Sequence, residues 1–187
     1  MIKYLYGVNK MNIDIIEVGE LYTNCYILTI NDDVLVIDPG DEYFKIKDKI
    51  KDKNLLGILI THRHFDHIGA LDQLVNEYNV DVYDINNLKE EEYKIGNFNF
   101  RVVYTKGHTD DSVTFNFYKD KIMFCGDFIF KDTIGRCDFA NSSISDMKKS
   151  IEKIKTYDDD IIIYPGHGPK TTLGYEKENN YYFNNIW

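Results

Sequence analysis

"ITHRHFDHIG", residues 60–69, gathers three of the chain's five histidines, His62, His64 and His67, with Asp66 into six consecutive positions. It continues the apolar run Leu55 to Ile60, which reads as a strand covered on both faces. In extended backbone, residues two apart point to the same side, so His62 and His64 aim two nitrogens at one point. Asp66 and His67 fall where the chain turns into the next helix, and they face a neighbouring point. One loop can thus serve two adjacent cations. Without a cation, each of these packed polar groups would need a partner of its own.

The remaining histidines stand in similar places. His108 lies in Gly107-His108-Thr109 and His167 in Gly166-His167-Gly168, each after a strand-like run. Loops at strand ends are where α/β proteins carry functional groups. His108 offers a third nitrogen for the first ion and His167 a further one for the second. Asp127, closing the strand Phe124-Cys125-Gly126, is a carboxylate placed to bridge both. Taken alone, His108 reads as a surface or capping residue; the cluster gives it another meaning. Imidazole and carboxylate suit zinc, iron or manganese rather than copper(I). A structural zinc site would favour cysteine and close with four ligands. Seven candidates without clustered cysteine indicate open positions, hence catalysis.

Strand signals open the chain at Ile13 to Val18, Cys25 to Ile30 and Val34 to Ile37. Tyr43, Ile46 and Ile50 recur at helical spacing, as do Ile68, Leu71, Leu74, Val75 and Tyr78. Asp81 to Asp84 reads as a short strand, and Asn86 to Asn97 as polar and unpatterned. Further strands are predicted over Phe98 to Tyr104, Ser112 to Tyr118 and Lys121 to Cys125. Ser143 to Asp146 resembles a capping box ahead of a helix with Met147, Ile151 and Ile154 on its apolar face. Ile161 to Tyr164 is the last strand, and a final helix begins near Tyr175. Strands, helix, strand and helix therefore occur twice. The expected fold is a layered α/β sandwich of two similar halves, one domain over residues 1–187.

Composition narrows the function. The net charge of −9 disfavours nucleic acid, and the Lys-rich stretches Lys45 to Lys53 and Lys148 to Lys155 are broken by acids. No apolar stretch approaches the roughly 20 residues of a membrane span. Three widely separated cysteines, Cys25, Cys125 and Cys137, point to a reducing, cytoplasmic home. The first ten residues lack the apolar centre of a signal peptide, and Met11 is an alternative start to Met1. The aromatic tail, Tyr181 to Phe183 and Trp187, is expected to pack, with a pocket wall or a dimer face as alternatives.

As a set, Thr61-His62-Arg63-His64-Phe65-Asp66-His67, Asp38-Pro39-Gly40, Gly107-His108-Thr109, Gly126-Asp127 and Pro165-Gly166-His167-Gly168 resemble the metallo-β-lactamase superfamily. Within it, Gly126 to Phe130, Ile134 to Phe139 and Pro165 to Gly174 resemble glyoxalase II-like hydrolases. The resemblance implies a four-layer αββα sandwich with two divalent metal ions, zinc first, with iron or manganese as alternatives. It implies His62, His64 and His108 on one ion, Asp66, His67 and His167 on the other, and Asp127 between them. Asp38 is similar to the family's structural aspartate, which supports ligands from behind. The chain departs from full-length glyoxalase II in lacking its C-terminal helical domain. That places glutathione thioesters in question, but not the hydrolytic core.

The implied reaction is hydrolysis of a small-molecule thioester or related ester by a hydroxide generated at the metal ions. Asp66 is placed to orient that hydroxide or take its proton. Arg136 is the candidate for an anionic substrate group. Its alternative is an ion pair with Asp138 or Asp132. Lys170 has a weaker claim of the same kind, and Cys137 reads as structural. The Gly135 to Phe139 segment also resembles persulfide dioxygenases, in which His62, His108 and Asp127 would hold a single iron. A lactonase or small phosphodiester hydrolase, and a binding module with a decayed site, are the remaining alternatives. That all seven ligand positions are filled argues against decay.

Overall fold

The computed structural model describes residues 10–185. β1 (Asn12–Val18), β2 (Thr23–Ile30) and β3 (Asp33–Ile37) form an antiparallel meander. α1 (Tyr43–Ile50) carries the chain back, so β4 (Asn54–Leu59) lies parallel to β3. The single-turn α2 (Phe65–Ile68) and α3 (Leu71–Tyr78) lead to β5 (Val82–Tyr83), parallel to β4. The first sheet has the order β1-β2-β3-β4-β5.

The second half repeats the plan. β6 (Glu92–Ile95), β7 (Phe98–Tyr104), β8 (Val113–Phe117) and β9 (Ile122–Gly126) are antiparallel neighbours. After the small hairpin of β10 (Ile129–Phe130) and β11 (Thr133–Ile134), α4 (Ile144–Ile154) returns the chain. β12 (Ile162–Pro165) then lies parallel to β9, with β13 (Thr171–Thr172) at the edge. α5 (Leu173–Asn179) and α6 (Tyr181–Asn184) follow. The sheet order is β13-β12-β9-β8-β7-β6.

Three apolar clusters make the layers. β2 shows how: buried along its whole length, it sends Tyr26 and Leu28 to one face and Cys25 and Ile27 to the other. Tyr26 and Leu28 meet Phe100, Phe115, Phe117 and Phe124 of the second sheet, forming the core between sheets. Cys25 and Ile27 meet Ile46, Ile50, Leu71 and Leu74 of α1 and α3. On the far side, Met147, Ile151 and Ile154 of α4 cover Met123 and Ile163. This is the expected αββα layering. Among the described residues, no helix is long and apolar enough to cross a membrane.

Three local expectations are refined. The polar stretch before residue 98 contains β6, an edge strand that buries only alternate residues: Tyr93 and Ile95 pack inward while Glu92 and Lys94 face out. Such a strand carries too little apolar signal to be read. At α4, Ser143 Oγ caps Asp146 N–H at 3.1 Å, but the box is half made. Ser143 N–H donates instead to the Gly107 carbonyl at 2.8 Å, and Asp146 pairs with Lys149. In the tail, Phe183 is buried, Tyr182 packs beside it and Tyr181 is exposed. Met11 is buried between the sheets; Met1 and Trp187 lie outside the described residues.

Phe115 is fully buried where the two sheets meet, with its ring 5.7 Å from that of Phe100. Phe115→Ala should cost about 3–5 kcal/mol in urea unfolding of the metal-free protein. Phe44, 79% exposed, gives the control: Phe44→Ala should stay within about 0.5 kcal/mol. Equal losses would mean that the inter-sheet core is not where the stability lies.

Candidate metal centre

The C-terminal ends of five strands converge on one edge of the sandwich. Asp38 follows β3, Thr61 and His62 follow β4, His108 follows β7, Asp127 follows β9 and His167 follows β12. The two sheets are stitched together there. Asn24 N–H donates to the Gly166 carbonyl at 2.7 Å, and Val113 N–H to the Thr61 carbonyl at 2.8 Å. The Asn24 side chain adds bonds to the carbonyls of Pro165 and Gly168. The ligand loops of one half are thereby fixed against those of the other.

Two groups of side chains form. In the first, His62 Nε2 and His108 Nε2 each stand 3.0 Å from His64 Nδ1. The outer nitrogens are already committed. His108 Nδ1 lies 2.9 Å from the Arg136 carbonyl, which can only accept, so that nitrogen carries the hydrogen. Thr61 Oγ1 donates to Asp38 at 2.6 Å and presents its lone pair to His62 Nδ1 at 3.2 Å. With those tautomers, Nε2 of His62 and of His108 turn lone pairs inward, where a cation is the natural partner.

The second group is Asp66, His67 and His167. His67 Nδ1 is held by Asp38 Oδ2 at 2.9 Å, and His167 Nδ1 by the Leu21 carbonyl at 3.0 Å, so both Nε2 atoms face the centre. Asp66 Oδ2 accepts from Thr23 Oγ1 at 2.8 Å and lies 3.6 Å from His67 Nε2 and 3.3 Å from His167 Nε2. Asp127 spans the groups. Its Oδ2 is 3.5 Å from His108 Nε2, and its Oδ1 is 3.4 Å from His67 Nε2 and 3.5 Å from His167 Nε2.

Donor chemistry and packing both fit divalent cations here. His67 Nε2 and Asp127 Oδ1 are buried polar atoms with no hydrogen-bond partner, and they face each other across the space a cation would take. Unpaired buried polar atoms are costly, on the order of 1–3 kcal/mol each, so the apo arrangement is one that a bound ion would relieve. The backbone leaves no spare room. Gly126, at φ +52°, would place a Cβ 2.3 Å from Thr61 Oγ1. A Cβ on Gly166 would meet Asp127 Oδ1 at 2.2 Å.

The electrostatics divide the histidines. Burial pushes His62 well below the ordinary histidine range and lowers His108, which keeps both neutral as ligands. Burial opposes charge on His67 as well, but the carboxylates of Asp38 and Asp127 outweigh it and lift it to about 10. His167 behaves alike: Asp127 and Asp66 overcome burial and raise it to about 9. Burial also works to raise Asp66 and Asp127. The neighbouring histidines prevail and hold both carboxyls well below the usual range.

All seven residues proposed as ligands from sequence lie in one or other group. Arg136 lines the same cavity, and its Nε and Nη2 meet Asp138 Oδ1 and Oδ2 at 2.5 and 2.7 Å. Asp132 is engaged by Tyr175 and Glu176. Lys170 lies over the Tyr164 ring, away from the cavity wall. Sequence reasoning missed Thr23 and Asn24, which hold Asp66 and the His167 loop. Their signal was two polar residues at the start of a strand buried throughout.

The model of the metallo-β-lactamase superfamily matches residues 18–90 and 81–167. Hydroxyacylglutathione hydrolase GloC of Haemophilus influenzae is 32% identical, over 93% of this chain and 99% of its own. Among solved structures, BLEG-1 B3 metallo-β-lactamase superposes with a TM-score of 0.89 at 28% identity, over 93% of this chain and 100% of its own. TTHA1623, solved in a di-iron-bound form, gives 0.83 at 27% identity, over 90% of this chain and 99% of its own.

The pKa pattern sets a test. With folded-state values of about 10 and 9, His67 and His167 are protonated at pH 7.5, and a cation must displace both protons. Zinc loading should release about two protons per chain, and affinity should climb from pH 6 toward about 9. Calorimetry in buffers of different ionisation enthalpy reads this directly. An apparent enthalpy that does not change with the buffer would contradict it.

Proposed function

Since the chain belongs to the metallo-β-lactamase superfamily, we propose that it is a metallohydrolase that cleaves a thioester or related ester at this centre. The supporting observation is the meeting of seven ligand atoms in two groups, with Asp127 facing both. In this reading His62, His64 and His108 hold one divalent cation and Asp66, His67 and His167 the other, zinc being the first choice. Bound there, such cations supply acidification of a water and polarisation of a carbonyl.

The chain's own residues supply the rest. Asp38, buried beneath His67, fixes the ring so that one nitrogen faces the reacting space. Asp66 lines the cavity, is anchored by Thr23 and is kept ionised by its histidine neighbours. A carboxylate so acidic orients a water better than it stores a proton. No strong acid is needed at the leaving group, because thiols ionise near pH 8.5 and depart as thiolates.

A second reading keeps a specific support. His62, His108 and Asp127, the set a mononuclear iron persulfide dioxygenase would use, lie in one group here. TTHA1623, solved in a di-iron-bound form, is a similar protein that accepts iron, although as a pair. Metal content separates the two: two zinc ions per chain favour hydrolysis, and one iron with oxygen uptake favours the dioxygenase.

The loaded protein should hydrolyse simple thioesters, with lactones and small phosphodiesters as comparison substrates. Chelation should lower the rate by at least about 100-fold, comparable to losing one oxyanion-stabilising group, and metal should restore it. His62→Ala should lose metal and turnover together. Turnover that survives verified metal removal would defeat the reading.

A further inference from the structure

Five of the seven candidate ligands, His64, Asp66, His108, Asp127 and His167, line a cavity of about 920 Å3. Its walls beyond the ligands include Leu21, Phe65, Phe130, Ile134, Phe139 and Pro169. Leu21 is 52% exposed, Phe65 75% and Phe139 38%, so the molecule leaves bulky apolar side chains in water at this mouth. Scattered singly, such residues need no explanation; gathered around one cavity they mark a surface that binds apolar matter. The rings also touch the ligands. Phe139 lies 4.9 Å from His64 and 5.5 Å from His108, centroid to centroid, and Phe130 lies 6.1 Å from His167. A phenyl ring therefore lies beside a histidine of each ligand group.

Charge points the same way. Beyond the ligand histidines, two cationic side chains reach the cavity, Arg136 and Lys131. Arg136 is held in the fork of Asp138 and lies 4.6 Å over the Phe139 ring. Lys131, whose ammonium lies 5.5 Å over the Tyr175 ring, is the rim cation without a carboxylate fork. A peptide thiol such as glutathione, with two carboxylates, finds one rim ammonium; an uncharged ring finds apolar partners on both sides.

We propose that this site selects thioesters whose acyl or thiol portion is uncharged and apolar, aryl or alkyl, with Phe65, Phe130 and Phe139 as specificity-determining residues. Water is added across the C–S bond, giving the carboxylic acid and the free thiol. The inference rests on the hydrolase reading and deepens it.

The test varies the two sides of the bond independently. Acetyl and phenylacetyl thioesters of benzyl mercaptan, N-acetylcysteamine and glutathione are compared on the metal-loaded full chain. Each added ring should raise kcat/KM about tenfold or more, the yield of burying one aromatic side. The glutathione esters should be poorest. Phe130→Ala and Phe139→Ala should shrink the aryl preference about tenfold. Calorimetry on the chelated protein supplies a second readout: uncleavable benzyl phenacyl sulfide should bind more tightly than S-benzylglutathione. Uniform rates across the panel would overturn the proposal, as would a glutathione preference lost in Lys131→Ala. So would a dimer, seen by sedimentation, that Phe65→Ala dissolves without altering selectivity. If no thioester is cleaved, the hydrolase reading fails, and the sulfide titration still decides whether the cavity takes apolar groups.

Discussion

One buried carboxylate holds the centre in register. Asp38 Oδ1 accepts from Thr61 N–H at 2.8 Å, while Oδ2 accepts from Thr61 Oγ1 and meets His67 Nδ1. Its own N–H donates to the Leu59 carbonyl at 3.1 Å. These bonds clamp the ends of β3 and β4 together and fix a ligand ring. They also commit Thr61 Oγ1, whose lone pair orients His62. To do this Asp38 sits at φ +49°, a conformation costly for most side chains and tolerated by aspartate. Strain of that kind persists where surrounding bonds over-determine it.

From this clamp the centre spreads across both sheets. The two halves each bring a parallel strand back through a helix, and their ligand loops emerge on the same edge. Four of the five histidines have one ring nitrogen committed to an oxygen behind it: Thr61, Asp38, and the Arg136 and Leu21 carbonyls. Each therefore enters the centre with its aim fixed in advance, and His62 and His108 with their tautomer as well. Orientation of this sort limits the reorganisation needed when charge is introduced.

Much of this was legible in the sequence because the signals were local. The apolar run before His62, the period-two spacing of His62 and His64, and the Gly-flanked His108 and His167 carry their meaning within a few residues. The layered α/β sandwich followed from strands and helices alternating in two rounds, and the family resemblance implied its αββα form. What stayed hidden depends on distant partners. Thr23 acquires its role only when β2 passes the Asp66 turn, 43 residues away. The use of Arg136 was a choice between substrate and Asp138 that pattern alone left open. β6 escaped notice because an edge strand with one half-buried face resembles a polar loop. The capping box at Ser143 was half wrong since the Gly107 carbonyl captured the N–H that Asp146 would have taken.

The central claim is that two cation sites lie side by side and share Asp127. Anomalous diffraction from zinc-loaded crystals, recorded on both sides of the zinc edge, tests it most directly. The account predicts two peaks per chain, one among His62, His64 and His108 and one among Asp66, His67 and His167, with the Asp127 carboxylate between them. No peak at this edge of the sandwich, or zinc bound only away from these residues, would contradict it.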